Sequence, residues 1–252
     1  MEIKRQPFQG VLNIIRFNRH FYIIALLVLL VVFLFHHYLS TWLQSLVSIG
    51  ALIALLTIMG SLTISYFIYD WSGLYNLNWL PDLNHKKVIN INAGFDETSS
   101  IILQKFKTVD LTVCDFYNPQ QHTEISIRRA RKAYPPQQGT ITVTTGALPF
   151  SDNQFDVVSV IFSAHEIRNL HERIRFFKEL HRIVKPSGSI YITEHLRDGA
   201  NLLAYSLGFL HFYSRKNWKN VFEKKVCGVI QFIFFKAKLH NIRISKRVII
   251  SF

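Results

Sequence analysis

The chain has 252 residues, 49% hydrophobic and 18% charged, with 29 Lys and Arg against 16 Asp and Glu for a formal charge of +13. That length holds one large domain, or one domain with an appendage, and the two distant cysteines Cys114 and Cys227 match neither a metal spacing nor a disulfide framework. The positive charge leaves two classes of partner, nucleic acid and an anionic membrane surface.

Residues 1–20 form a basic N-terminal segment. Residues 21–39 contain no Asp, Glu, Lys or Arg, and at 1.5 Å per residue about 20 such residues cross a bilayer core of roughly 30 Å. A second uncharged run covers 42–69 and is closed by Asp70. With only Ser40 and Thr41 between them, the two runs predict a tight transmembrane helical hairpin over 21–70. A cleaved signal peptide is the competing reading. The length of the first run, the lack of an A-x-A-like cleavage site and the second run weigh against it. Trp42, Tyr66, Tyr69 and Trp71 sit near the ends, where aromatic rings favour the headgroup level. Lys4, Arg5, Arg16 and Arg19 precede the hairpin and Lys86 and Lys87 follow it, which places both ends on the cytoplasmic side.

Residues 71–87 carry the breakers Gly73 and Pro81 and read either as an interfacial linker or as an element folded over a site entrance. From residue 88 strands and helices alternate. Apolar runs at 88–91, 109–115, 140–144, 155–163 and 189–195 read as strands, the fourth nearly continuous as in a buried central strand. Helices are expected from Thr98, over 119–133 and over 172–184, with Asp96 and Glu97 suited to the electropositive start of the first. Five strands alternating with helices imply a doubly wound, mostly parallel α/β sheet over 88–252. The tail predicts helices at 201–212 and 216–225 and a hairpin of 229–238 with 242–252.

"NINAGFDETSS" (90–100) has the setting of a nucleotide-binding turn but a single glycine, Gly94. Asp115 ends the next strand about 20 residues on, where a carboxylate accepts hydrogen bonds from ribose hydroxyls. Its alternative is a helix cap. The stretches "GALPFSDNQFDVVSVIFSAHEIRN" and "FFKELHRIVKPSGSIYITEH" resemble the class I S-adenosylmethionine-dependent methyltransferases, in particular the small-molecule group. "NAGFDETSS" and "EHLRDGANLLAYSLGFLHFYS" are similar to a membrane-anchored bacterial subgroup.

The resemblance implies a Rossmann-like seven-stranded methyltransferase sheet behind the hairpin, in the bacterial inner membrane with its domain cytoplasmic. It implies S-adenosyl-L-methionine as cofactor. Asn90, Asn92, Ala93 and Gly94 then form the first cofactor loop, with Asp96 in the third glycine position. Asp115 becomes the ribose acid, with Phe116 beside the adenine. Ala147 and Leu148 fall at the adenine loop, and Ser163 lies under the methyl donor. S-adenosylmethionine carries no pyrophosphate, so one glycine suffices where a dinucleotide loop needs three.

Methyl transfer from a sulfonium asks the protein chiefly to align the acceptor. A base is needed only where the acceptor loses a proton. His165, Glu166, Arg168 and His195, at the ends of the fourth and fifth strands, are the catalytic candidates, His165 foremost as a base. Glu166 and Arg168 also suit a structural ion pair. "HEIRN" is not the zinc motif H-E-x-x-H, because Asn169 stands where the second His is required, and no metal is expected. Lys224, Lys225 and the other basic residues of the tail suit anionic lipid. No nucleic-acid-binding motif accompanies them. The expected acceptor is an amphipathic or membrane-dissolved small molecule. A catalytically silent cofactor-binding scaffold and an RNA methyltransferase are the alternatives.

Overall fold

The computed structural model describes residues 5–223, 229–235 and 245–251. A short helix α1 (Gln9–Phe17) leads into α2 (Arg19–Phe35), and α3 (Thr41–Tyr66) returns and ends in a π turn, Phe67–Trp71. Two segments, Arg19–Tyr38 and Thr41–Asn76, are long and apolar enough to cross a membrane by length and composition. No residue of α2 is buried, and Ser65 is the buried residue of α3.

The domain alternates as the apolar pattern predicts: β1 (Lys87–Asn92), α4 (Thr98–Lys105), β2 (Asp110–Asp115), α5 (Ile125–Ala133), β3 (Ile141–Thr142), β4 (Phe155–Ile161), α6 (Leu170–Ile183) and β5 (Val184–Glu194). These five strands are parallel, with β1 between β2 and β4. After α7 (Gly199–Tyr205), a 3₁₀ turn Ser206–His211 and α8 (Arg215–Glu223), the strands β6 (Val229–Phe235) and β7 (Ser245–Ser251) extend the far edge antiparallel. The order is β3-β2-β1-β4-β5-β7-β6. The chain therefore reverses direction across the sheet between β1 and β4, where open α/β sheets place ligands beyond the strand ends.

Two apolar layers clamp the sheet. Ile89 and Ile91 of β1 pack with Phe176, Phe177, Leu180 and Ile183 of α6 and with Trp218 and Phe222 of α8. Val88 faces the other way, with Val157, Ile102, Phe106 and the run Leu77, Leu80 and Leu83. This corrects the reading of 71–87 as a linker: its leucines are fully packed core. The third strand is shorter than expected, two residues in place of 140–144, and the helix expected from 119 begins at Ile125. The tail lysines Lys224, Lys225, Lys236 and Lys238, and Arg243, lie outside the described residues.

Residues 1–20, expected as a separate segment, are corrected more strongly, because α1 packs against α5 and the π turn. Its first turn has no cap of its own. Asp70 supplies one from the far end of the hairpin, accepting from Gly10 N–H at 2.8 Å and Val11 N–H at 3.0 Å, where a carboxylate also meets the positive end of the helix dipole. Gly10 allows the approach, since a Cβ there would lie 2.3 Å from Tyr69 Cβ.

Candidate functional site

The loop after β1 explains its own sequence. Asn90 is buried, its amide donating to Thr98 and Ser99 hydroxyls at 3.0 and 2.8 Å and its carbonyl accepting from Ser159 Oγ at 2.7 Å. Asn92 donates to Cys114 O at 3.0 Å and accepts from Gly94 N–H at 3.0 Å, tying the loop to β2. Gly94 holds φ +93°, and a Cβ there would meet the Tyr117 ring at 2.8 Å, so glycine is required twice over. Asp96, in the third glycine position, accepts from Thr98 and Ser99 N–H, both at 2.9 Å, and so caps α4.

Asp115 stands buried at the end of β2. Its carboxylate accepts from Tyr117 N–H at 2.8 Å and is paired with Arg131 of α5, whose guanidinium lies 4.7 Å from the Tyr117 ring centre. Phe116 turns inward against Phe176, and Leu148 is buried with its N–H given to Glu179 at 2.9 Å. Ser163 donates to Ile91 O at 3.0 Å and locks β4 to β1. Ala147 closes a small bridge with Thr144. Of the expected cofactor residues, only Ala93 lines the main cavity.

That cavity, about 580 Å³, lies above the carboxyl ends of β1, β4 and β5. Ala93, Phe95, Glu97 and Thr98 form one wall, Ile161, Phe162, His165, Glu166 and His195 another, and Glu124, Ser126 and Ala130 of α5 a third. The roof is α1, through Gly10, Asn13 and Phe17, and the lining continues through Asn18 to His20 and Phe21 in the first turn of α2. Glu97 fastens the roof: its Oε1 accepts from Gln9 Nε2 at 2.7 Å and Asn13 Nδ2 at 3.0 Å, and Asn13 also donates to Tyr134 Oη at 2.9 Å. Burial pushes the Glu97 carboxyl above its ordinary value despite Arg5 and the hydrogen bonds from Gln9 and Tyr75.

A chain of titratable groups crosses the opposite wall. Glu194 Oε2 lies 2.6 Å from His165 Nδ1, and His165 Nε2 lies 3.3 Å from Glu166 Oε1. The same oxygen is 3.4 Å from His211 Nε2, whose Nδ1 is 2.9 Å from Glu124 Oε1. Burial alone would favour neutral His165, but Glu194 and Glu166 outweigh it and raise its pKa to about 10. Against the expectation of His165 as the base, both its ring nitrogens meet carboxylates that favour its charged form. Arg168 forms no ion pair with Glu166 among the described residues; it donates to His211 O at 2.6 Å and lies against the His211 ring.

His195 is the contrasting imidazole. Burial, aided by the charge of His165, holds its pKa well below the ordinary value, so it is neutral. Its Nε2 sits 2.8 Å from Tyr69 Oη and 3.3 Å from Tyr205 Oη, two hydroxyls that also contact each other. Phe162, at the end of β4, holds φ +52°, a conformation bulky residues rarely adopt, and its ring stacks on His195 at 4.3 Å. Sequence reasoning missed His211, Glu124, Tyr69 and α1 as site elements, because each reaches the cavity from an element distant in the chain; Glu97, in the first loop itself, was read only as suited to the start of α4.

The family described as a methyltransferase domain matches residues 103–192. Among curated relatives, the ubiquinone/menaquinone biosynthesis C-methyltransferase UbiE of Roseobacter denitrificans is 28% identical over 138 residues, 52% of each chain. That of Cereibacter sphaeroides is 24% identical over 47% of this chain and 46% of its own. The chain thus spans about half the length of these relatives. A demethylmenaquinone methyltransferase of Chlamydia muridarum is 25% identical over 63% of this chain and 73% of its own. A solved S-adenosylmethionine-dependent methyltransferase from Aquifex aeolicus aligns with a TM-score of 0.48 and 15% identity over 75% of this chain and 97% of that one.

Proposed function

We propose that this chain, whose residues 103–192 match a methyltransferase domain, is a class I S-adenosylmethionine-dependent methyltransferase that methylates a quinone-like, membrane-dissolved small molecule while α2 and α3 hold it in a membrane. The observation that carries the reading is the course of the cavity, from the ends of β1 and β4 to the first turn of α2. An acceptor dissolved in the bilayer meets the domain at that turn. The quinone-biosynthesis names of the relatives support the same acceptor class.

The residues fit the cofactor's groups. Ala93 and Thr98 line the cavity beside the glycine turn, Glu97 offers a buried carboxylate to an ammonium, and Asp115 offers one to ribose hydroxyls. When bound, S-adenosylmethionine supplies a methyl already activated on a sulfonium. The chain's own task is alignment and dryness: α1 roofs the cavity, and Phe162 and Phe212 wall it. A proton lost by the acceptor passes through the Tyr69 hydroxyl to neutral His195, 2.8 Å away.

Because α1 forms part of the cavity, the test uses the full chain in detergent. Calorimetric titration with S-adenosylhomocysteine should show one site. Asp115→Ala should weaken it about tenfold or more, the loss of one good charged hydrogen bond, while Arg131→Met, which frees Asp115, should tighten it. Membranes holding the protein and radiolabelled S-adenosylmethionine should then yield label in the solvent-extractable lipid fraction. A folded protein with no heat at millimolar ligand defeats the cofactor assignment. Label confined to the aqueous phase defeats the acceptor assignment.

A further inference from the structure

The structure assigns to His165, Glu166 and His211 a binding site for one divalent metal ion of the zinc class, at the cavity wall. Three observations carry it.

The first is spacing. Metal bonds of about 2.0–2.1 Å at tetrahedral angles separate ligand atoms by about 3.3–3.4 Å. Glu166 Oε1 lies 3.3 Å from His165 Nε2 and 3.4 Å from His211 Nε2, and the three ligand atoms all fall within 4.8 Å of one another.

The second is orientation. Metal-bound histidines usually give their other ring nitrogen to a carboxylate, which fixes tautomer and ring plane. Both histidines here do so: His165 Nδ1 meets Glu194 at 2.6 Å and His211 Nδ1 meets Glu124 at 2.9 Å. Each therefore presents Nε2 to the same glutamate oxygen. An ion-pair network needs no such matched choice of nitrogen.

The third is placement. All three residues line the 580 Å³ cavity, so three protein ligands leave a fourth position facing it, the arrangement of a catalytic rather than a structural zinc site. A ligand oxygen from an acceptor takes that position, and the ion stabilises negative charge on it.

Arg168, whose guanidinium contacts both ring nitrogens of His211, including the Nε2 offered to the metal, has to withdraw from it. The motif was invisible in sequence because the second histidine comes not from position 169 but from the 3₁₀ turn at Ser206–His211. The site stands on this geometry and not on the identity of the acceptor.

The test is metal uptake by the full, untagged chain in detergent, stripped with chelator and dialysed. Titration with zinc should reach one equivalent, and cobalt(II) should give the visible absorption of a four-coordinate site. His211→Ala and Glu166→Gln should each lower affinity at least a hundredfold. Glu124→Gln, altering only the orienting carboxylate, should lower it roughly tenfold to a hundredfold. Arg168→Ala should leave it unchanged or tighter, the opposite of what a merely structural disruption produces. Retained binding of S-adenosylhomocysteine certifies each variant as folded. The assignment is overturned if folded wild type takes up no zinc or cobalt. It is equally overturned if uptake survives His211→Ala and is lost when the adjacent His36 and His37 are replaced by alanine.

Discussion

Glu97 shows how one residue can work against stability for the sake of a site. Its folded-state pKa is raised, chiefly by burial, so the folded protein prefers the protonated carboxyl. That contribution is fully present at low pH and is lost as pH rises past the ordinary glutamate range and through the folded value. Glu97→Gln keeps an acceptor for Gln9 and Asn13 and removes the charge. Its melting temperature should exceed that of the parent at neutral pH by a few degrees, with the gap closing in acid; a gap independent of pH counts against the assignment. At this scale the sequence was partly readable. The spacing from Gly94 to Asp115 located the second strand's acid, because strand length and turn length are local. The partner of Asp115, Arg131, was not readable, since nothing in α5 marks which of its four basic side chains faces the sheet.

At the scale of elements, α1 is the piece whose role least resembles its sequence. Read locally, residues 1–20 are a basic leader; folded, Gln9–Phe17 of that stretch roof the cavity. The reason is separation: Asp70 caps the helix from 60 residues away, and Glu97 and Tyr134 bind Asn13 from 84 and 121 residues away. Hydrophobic runs such as β4 announce themselves, but a polar latch made by distant partners does not. Asp70→Ala should cost about 1–2 kcal/mol, as for a lost helix cap, seen as a lower denaturation midpoint of the full chain. Gly10→Val should be worse, because the added methyls collide with Tyr69. Overpacking of this kind typically costs about 1–3 kcal/mol, and S-adenosylhomocysteine affinity should fall with it. A Gly10→Val protein with parental affinity and stability separates α1 from the site.

For the whole molecule, the proposed membrane anchoring requires two apolar helices and a roofed cavity to agree on one geometry. The basic residues Arg16 and Arg19 before α2, and Lys86 and Lys87 after the hairpin, predict that the domain stays on the cytoplasmic face. With Cys227 replaced by serine and Cys114 buried, a cysteine at Ser40 should react with an impermeant reagent applied to intact cells. One at Lys107, exposed on the domain, should react only after lysis. The reverse pattern turns the protein over and removes the cytoplasmic cofactor from its reach. The doubly wound sheet was legible from the alternation of apolar runs. The placement of the cavity over α2 was not, because it depends on where α1 docks.

The docking of α1 also sets a timetable. The helix is made early, yet Tyr134, which helps hold it, is synthesised more than a hundred residues later. At about 5–20 residues per second that delay is on the order of ten seconds. Until then α1 can pack on α3 and the π turn but not on α5. In the proposed membrane-held protein, insertion of α2 and α3 therefore precedes sealing of the chamber. A nascent chain stalled before Tyr134 has an open, unfinished pocket.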